Sequence, residues 1–299
     1  MAWISTDVSI GDPSTDMKIA FLILAHKNPK QLQMLLNALQ HPAFDFYIHL
    51  DKKTNAGSFN YLSSYKNVFF INKRAKIYWA AFGTIQATLN GFKEIPLSDY
   101  AYVNVISAQD FPLKSANEIY EYILERKGIE FISCQSIEDE WPVKPRVKKY
   151  HLINWRIPGK YRLGDFLTYI LPERKFPFDY KIVGRANWFT LTTKAIQYSL
   201  DFLERNPSVI RYFKYCWGAD EFIFSTILYN SSFKEKIVDN LIYVDWSSGL
   251  AHPKILTVDD YDALKASSKL FARKFDMETD SLILKKLEEL IGVKDKATV

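Results

Sequence analysis

Two adjacent carboxylates, Asp220 and Glu221, stand between a small-residue turn, Trp217-Gly218-Ala219, and an apolar run. In that run Phe222, Ile223, Ile227 and Leu228 recur at helical spacing. Glycine and alanine let the backbone turn tightly, and Asp220 can cap the helix that follows by accepting backbone N–H bonds. Glu221 then falls in the first helical turn, flanked by Trp217 and Phe222. A carboxylate among aromatic rings can have its pKa raised toward neutrality, which suits a general base. The same pattern also describes a capped helix with an ordinary first-turn acid, favoured by the macrodipole. Residues elsewhere must decide between the two.

Cations form a second group. A diphosphate that no metal neutralises needs basic side chains, and Arg273-Lys274, set between Phe271 and Phe275, offers a bidentate guanidinium beside a point charge. Lys254 is a further candidate. The five histidines, His26, His41, His49, His151 and His252, are scattered without metal-ligand spacing. Asp51 is followed by Lys52 and Lys53 rather than by a second acid, so the Asp-x-Asp pair of many metal-dependent nucleotide-sugar enzymes is missing. No Walker sequence and no GxGxxG follows a strand, which argues against the NAD- and ATP-binding classes that use them. Trp79, Trp188, Trp217 and Trp246 can stack on sugar faces or fill the core.

The elements that must position these residues alternate. Strands are predicted over residues 18–26, 44–50, 67–71, 100–106 and 130–134, with helices over 29–39, 58–65, 84–92 and 118–125. The last has Ser115 or Asn117 as its cap. The pattern predicts an α/β fold whose mostly parallel, doubly wound sheet is flanked by helices, with ligands beyond the carboxyl ends of the strands. His26, Asp51 and the turn Ser107-Ala108-Gln109-Asp110 lie at such ends. Residues 138–177 read as a polar, aromatic, proline-punctuated insert that shapes an acceptor site. Order returns over 183–192, then in a helix over 194–205, a strand over 241–246, a capped helix from Val258 and a C-terminal helix over 280–291.

Composition sets limits. The chain has 299 residues, 48% hydrophobic and 24% charged, which is globular, and no internal boundary is evident, so residues 17–299 read as one domain. A net charge of +5 suits a phosphate-bearing ligand or an anionic membrane surface, while no arginine-rich block points to nucleic acid. Two cysteines, Cys134 and Cys216, make no disulfide framework and fit a reducing compartment. No apolar run is long enough to span a bilayer. Residues 1–16 read as a leader, with natural translation starting at Met17, and the expected location is the cytosol.

Several stretches together resemble the family 14 glycosyltransferases, the core-2 and I-branching β-1,6-N-acetylglucosaminyltransferases with the protein O-xylosyltransferases. The matching stretches are Ile23-Leu24-Ala25-His26, His49-Leu50-Asp51-Lys52-Lys53, Ser107-Ala108-Gln109-Asp110-Phe111-Pro112-Leu113-Lys114, Asn187-Trp188-Phe189, Asp220-Glu221 and Leu270-Phe271-Ala272-Arg273-Lys274-Phe275-Asp276, in family order. The resemblance implies a GT-A-like fold, a UDP-sugar donor with UDP-GlcNAc first and UDP-xylose or UDP-galactose as alternatives, inversion at the anomeric carbon and no metal cofactor. It implies that Glu221 is the catalytic base, although the family's Pro-Asp-Glu motif has Ala219 at its proline here. Arg273 and Lys274 match the pair that contacts the donor diphosphate. Asp51 matches an acid near the nucleoside, Trp79 a tryptophan near the donor sugar, and Asp110 the acid of the turn after the fourth strand.

Asn187 stands where the xylosyltransferase branch typically carries an acid, which weakens a xylosyl assignment and leaves Glu221 as the preferred base. The missing cysteine framework and membrane anchor look like a bacterial cytosolic relative working in surface polysaccharide synthesis. Its acceptor would be a glycan, lipid-linked in one version, met at the inner membrane face. Two rivals remain at this level: a non-catalytic glycan-binding relative and a membrane-surface scaffold.

Overall fold

Seven consecutive apolar residues, IAFLILA, form β1 (Ile19–Ala25), and every one is buried, as a central strand covered on both faces must be. The computed structural model describes residues 17–293, so the leader expected over 1–16 lies outside the described residues. In chain order there follow α1 (Pro29–Ala38), β2 (Phe44–Leu50), β3 (Val68–Phe70), α2 (Gly83–Glu94), β4 (Tyr102–Ser107), β5 (Asp110–Pro112), α3 (Ala116–Glu125) and β6 (Glu130–Phe131). Next come β7 (Gln135–Ser136), α4 (Lys144–Lys148), α5 (Lys160–Ile170), β8 (Val183–Gly184), β9 (Phe189–Thr192), α6 (Thr193–Arg205), α7 (Pro207–Phe213) and α8 (Ile223–Tyr229). The described chain closes with β10 (Ile237–Val238), β11 (Ile242–Val244), α9 (Tyr261–Ala266), β12 (Phe271–Arg273) and α10 (Leu282–Leu290).

The main sheet has the order β10-β6-β9-β4-β1-β2-β3. β1 pairs parallel with β2 and β4, β2 with β3, and β6 with β10, while β9 runs antiparallel to β4 and β6. This is the α/β, mostly parallel architecture the alternation predicts. The chain steps outward from β1 to β3 and then crosses back to place β4 on the other side of β1. The strand order therefore reverses between the carboxyl ends of β1 and β4, where open α/β sheets form their ligand crevice.

Side chains on β1 alternate between faces. Phe21 packs on Phe44 and Phe46 and, 6.3 Å away, on Phe271 of β12, so that face carries the small sheet β11-β12-β5. Leu22 points to the other face, where α2 approaches so closely that a Cβ on Gly91 would collide with the Leu22 side chain. Phe92 of α2 meets Phe224 of α8 edge-to-face at 5.7 Å, and Phe224 in turn lies 5.2 Å from Phe189 of β9. The helix after the Asp220-Glu221 turn is thereby fixed to the sheet.

Several expectations change in detail. The strand expected over 130–134 pairs only at Glu130–Phe131, and 183–192 divides into β8 and β9 around a loop bearing Asn187. Ser115, not Asn117, caps α3, through a reciprocal capping box with Glu118. Asp220 caps nothing. It lies in a single 3-10 turn, Ala219–Glu221, while α8 starts after Phe222 with no side-chain cap, and the Asp220 carboxylate instead accepts a 2.7 Å bond from Asn187 Nδ2. The region 138–177 is not structureless either, since it contains α4 and α5. Pro145 sits in the first turn of α4, and Gly164 faces the protein in α5.

Candidate active site

Two clusters meet at the reversal point. The first is built on the turn after β4. Asp110 is 0% exposed and accepts bonds from Ser107 N at 2.8 Å and Ser107 Oγ at 2.9 Å. Because β5 and β12 pair antiparallel with Asp110 opposite Arg273, this carboxylate lies 3.4 Å from Arg273 Nε. Below the guanidinium is the ring of Trp188, 4.6 Å from Arg273 Cζ to its centroid. Burial pulls the Arg273 pKa below its ordinary value, and Asp110, Asp220 and Glu221 oppose that pull; the guanidinium stays charged.

Lys274 follows, half-buried, its pKa lowered by burial and by the Arg273 and Lys27 charges. Among the described residues Lys274 has no ion pair within 4.0 Å. Two glutamines stitch the segment to the sheet. Gln31 Nε2 donates to Ala108 O at 3.1 Å and Phe275 O at 3.2 Å, and Gln109 Nε2 donates to Phe275 O at 3.3 Å. On the far side Leu256 N donates to Lys274 O at 2.8 Å. At the end of β1, surrounding protein atoms lower the His26 pKa, Lys274 and Lys27 push the same way, and Asp51 opposes them. Asp51 itself is buried and paired with Lys53 at 3.2 Å.

The second cluster surrounds Glu221. Its Oε2 accepts from Arg146 Nη2 at 2.7 Å, and the side chain keeps 27% of its surface exposed. Burial pushes the Glu221 carboxyl up to about 7, with Asp220 adding to the rise and Arg146 and Arg185 holding it down. Arg146 comes from α4 in the insert, lies 5.0 Å over Trp141 and 5.1 Å over Phe222, and donates from Nε to Trp217 O at 3.2 Å. Gly218 has φ 62, in the left-handed region, and a Cβ there would collide with the Arg146 guanidinium. Gly184 is required for a different reason: a Cβ on it would strike the Glu221 carbonyl oxygen. Gly218 N also donates to Ala80 O at 2.9 Å, which brings Trp79, 60% exposed, edge-to-face with Trp217 at 5.2 Å.

A carboxylate poised near neutral pH, in a cluster with the exposed Trp79 and the half-buried Trp217, can take a proton from a bound hydroxyl. A fixed guanidinium and a free ammonium nearby can hold an anionic leaving group. Among the described residues no group of three or more His, Cys, Asp and Glu side chains is gathered that could hold a metal ion.

The Core-2/I-Branching enzyme family model matches residues 19–267. The chain belongs to this family. Rat xylosyltransferase 2 is 23% identical over 297 residues, 91% of this chain and 33% of that protein. Rat xylosyltransferase 1 is 21% identical over 307 residues, 93% of this chain and 36% of that protein. The chain thus spans about a third of the length of these curated relatives. Among solved structures, the galactosyltransferase LgtC in complex with donor and acceptor sugar analogs is 11% identical, covering 94% of this chain and 98% of that chain with a TM-score of 0.42.

Within this Core-2/I-branching chain, the residues singled out from the sequence separate by depth. Glu221, Trp79 and Trp217 share one cluster; Arg273, Lys274 and His26 share the other, with Asp51 at its edge. Asp110 cannot touch a donor, because it is solvent-free and both its oxygens serve Ser107 while it holds Arg273. Trp188 cannot stack on an acceptor, since it is 7% exposed and lies under Arg273. Lys254 is already answered by Asp260 at 2.6 Å and Asp245 at 4.0 Å, which removes it from the free cations. Trp246 is 45% exposed in the loop after β11, and among the described residues no ring contact joins it to Trp79 or Trp217. Arg146 and Gln31 are not singled out by the sequence as site residues, while Gln109 lies in the turn expected at a ligand-bearing strand end. For Gln31 a signal existed, a polar residue on the apolar stripe of α1.

Two outcomes follow from this geometry. Gly184→Ala should cost roughly 1–3 kcal/mol of stability in urea unfolding as the Glu221 backbone is displaced; wild-type stability would show that the contact is not tight. Turnover should rise with pH through about 7 as Glu221 loses its proton. Arg146 favours the ionised form, so Arg146→Ala should move that rising limb of kcat/KM to higher pH, and an unmoved limb would contradict the pairing.

Proposed function

We propose that this chain is an inverting glycosyltransferase that moves a sugar from a UDP-sugar to a hydroxyl of a glycan acceptor without a metal cofactor. The observation that carries the reading is the pairing, at one crevice, of a carboxylate raised toward neutrality with a held guanidinium and an unpaired ammonium. Glu221 takes the proton from the acceptor hydroxyl as its oxygen forms a bond to the anomeric carbon. The bond from that carbon to the diphosphate oxygen breaks on the opposite face, and UDP leaves with the bonding electrons. Arg273 and Lys274 stabilise the charge that grows on the diphosphate. Asp110 and Trp188 hold Arg273 in place, so the guanidinium needs no reorganisation as charge develops. Trp79 and Trp217 offer exposed ring surface for sugar, and His26 and Asp51 border the nucleotide side.

UDP-GlcNAc is the donor this reading places first. UDP-xylose is the second, favoured by the xylosyltransferases among the matched relatives. A calorimetric panel of UDP, GDP, CMP and their sugar conjugates in EDTA tests the claim. UDP compounds should bind selectively, the better of UDP-GlcNAc and UDP-xylose naming the donor. Lys274→Ala should weaken UDP by roughly tenfold or more, the effect of losing one charge-assisted contact. Binding that needs a divalent ion, or unchanged affinity in the variant, would overturn the metal-free diphosphate site.

A further inference from the structure

Helix α5 is inside out for a helix on a globular surface. Lys160, Gly164, Leu167 and Thr168 turn inward, at i, i+4, i+7 and i+8. Gly164 lies against the Tyr150 carbonyl, where a Cβ would be 2.8 Å from that oxygen, and Thr168 Oγ1 accepts from Tyr150 N at 3.0 Å. The helix is therefore seated by its small and polar residues. Its outward stripe is apolar: Leu163 is 38% exposed, Phe166 56%, Tyr169 88% and Ile170 52%. Trp155, before the helix, and Leu171, directly after it, are exposed as well, at 46% and 39%. A contiguous patch of this kind marks an interaction surface.

Charge selects the occupant. Residues 141–178 carry nine Lys and Arg against two Asp and Glu, more than the whole chain's net +5. Lys149, Arg162 and Lys175 are exposed, and among the described residues none of them forms an ion pair within 4.0 Å. An apolar stripe framed by unpaired cations is the surface that lies in the headgroup layer of an anionic bilayer. We propose that α5 and its flanks dock this protein on an anionic lipid surface. Tyr161, in the first turn of α5, lies 6.4 Å from Trp217 ring to ring, so docking brings the Glu221 cluster close to the lipid. If the chain transfers sugar as proposed above, the acceptor hydroxyl then belongs to a membrane-anchored glycan; the docking itself does not depend on that reading.

Co-sedimentation of the full chain with phosphatidylcholine vesicles, with and without phosphatidylglycerol, tests the docking without donor or acceptor, so its failure is separate from any failure of the transferase reading. The chain should pellet with the anionic vesicles and remain in solution with the neutral ones. Phe166→Ser with Ile170→Ser should reduce the bound fraction about tenfold while leaving melting temperature and UDP affinity unchanged, and Arg162→Glu should reduce it independently. No binding to anionic vesicles, or equal binding by the double variant, would overturn the proposal. So would a concentration-dependent dimer that the double variant abolishes while vesicles stay unbound, since that result gives the stripe to a second copy of the chain.

Discussion

Asp110 has no contact with solvent, and burial alone would drive its carboxyl to take up a proton. Ser107, through its N–H and its hydroxyl, and the Arg273 guanidinium oppose that drive. Arg273, with 15% of its side-chain surface exposed, is in turn largely desolvated and needs the carboxylate. Removing either partner would leave the other without its nearest opposite charge in a desolvated place, which is strongly destabilising. The pair also has a location: Asp110 opens β5 just after the end of β4, and Arg273 sits opposite it across the β5–β12 ladder. The pair therefore fixes one strand of the small sheet to the turn at the reversal point, and Lys274 has no freedom to be anywhere but beside it.

The Glu221 cluster depends on a contact of another kind. Arg146 arrives from 75 residues earlier in the chain, over two aromatic rings, into space that exists only because residue 218 has no side chain. Its charge limits how far burial can raise the Glu221 pKa. A fully neutral acid could not accept a proton, and a fully solvated carboxylate would accept one weakly. The insert thus acts on the charge state of the Glu221 carboxyl as well as on its surroundings. The two clusters sense each other, because Asp220 and Glu221 both act on the charge of Arg273.

Much of this was legible in the sequence wherever one residue type has one physical use. A run such as IAFLILA can only be a covered strand or a buried helix, and the spacing of turns selects the strand. From alternating elements follow the parallel sheet and its crevice, and with them the positions of His26 and Asp51. The aromatic flank of Glu221 predicts a raised pKa, and the pKa is raised, with burial as the largest cause. Depth was not legible. Asp110, Trp188 and Lys254 carry suitable chemistry, yet two are buried under Arg273 and the third is paired with Asp260 and Asp245. Arg146 was one of several basic residues in a stretch with no clear period, and its role rests on a fold-dependent contact that no local pattern encodes. Helix α5 was not legible because its apolar stripe faces outward while small and polar residues, Gly164 among them, face the protein.

Glu221→Gln is the most direct test of the central claim. The amide keeps the shape of the side chain and removes its capacity to accept a proton. UDP affinity measured by calorimetry should stay within about twofold, while sugar transfer from the preferred UDP-sugar should fall by roughly a hundredfold or more. Transfer at the wild-type rate, with UDP still bound, would mean that another group takes the proton and that the raised pKa of Glu221 serves only the fold.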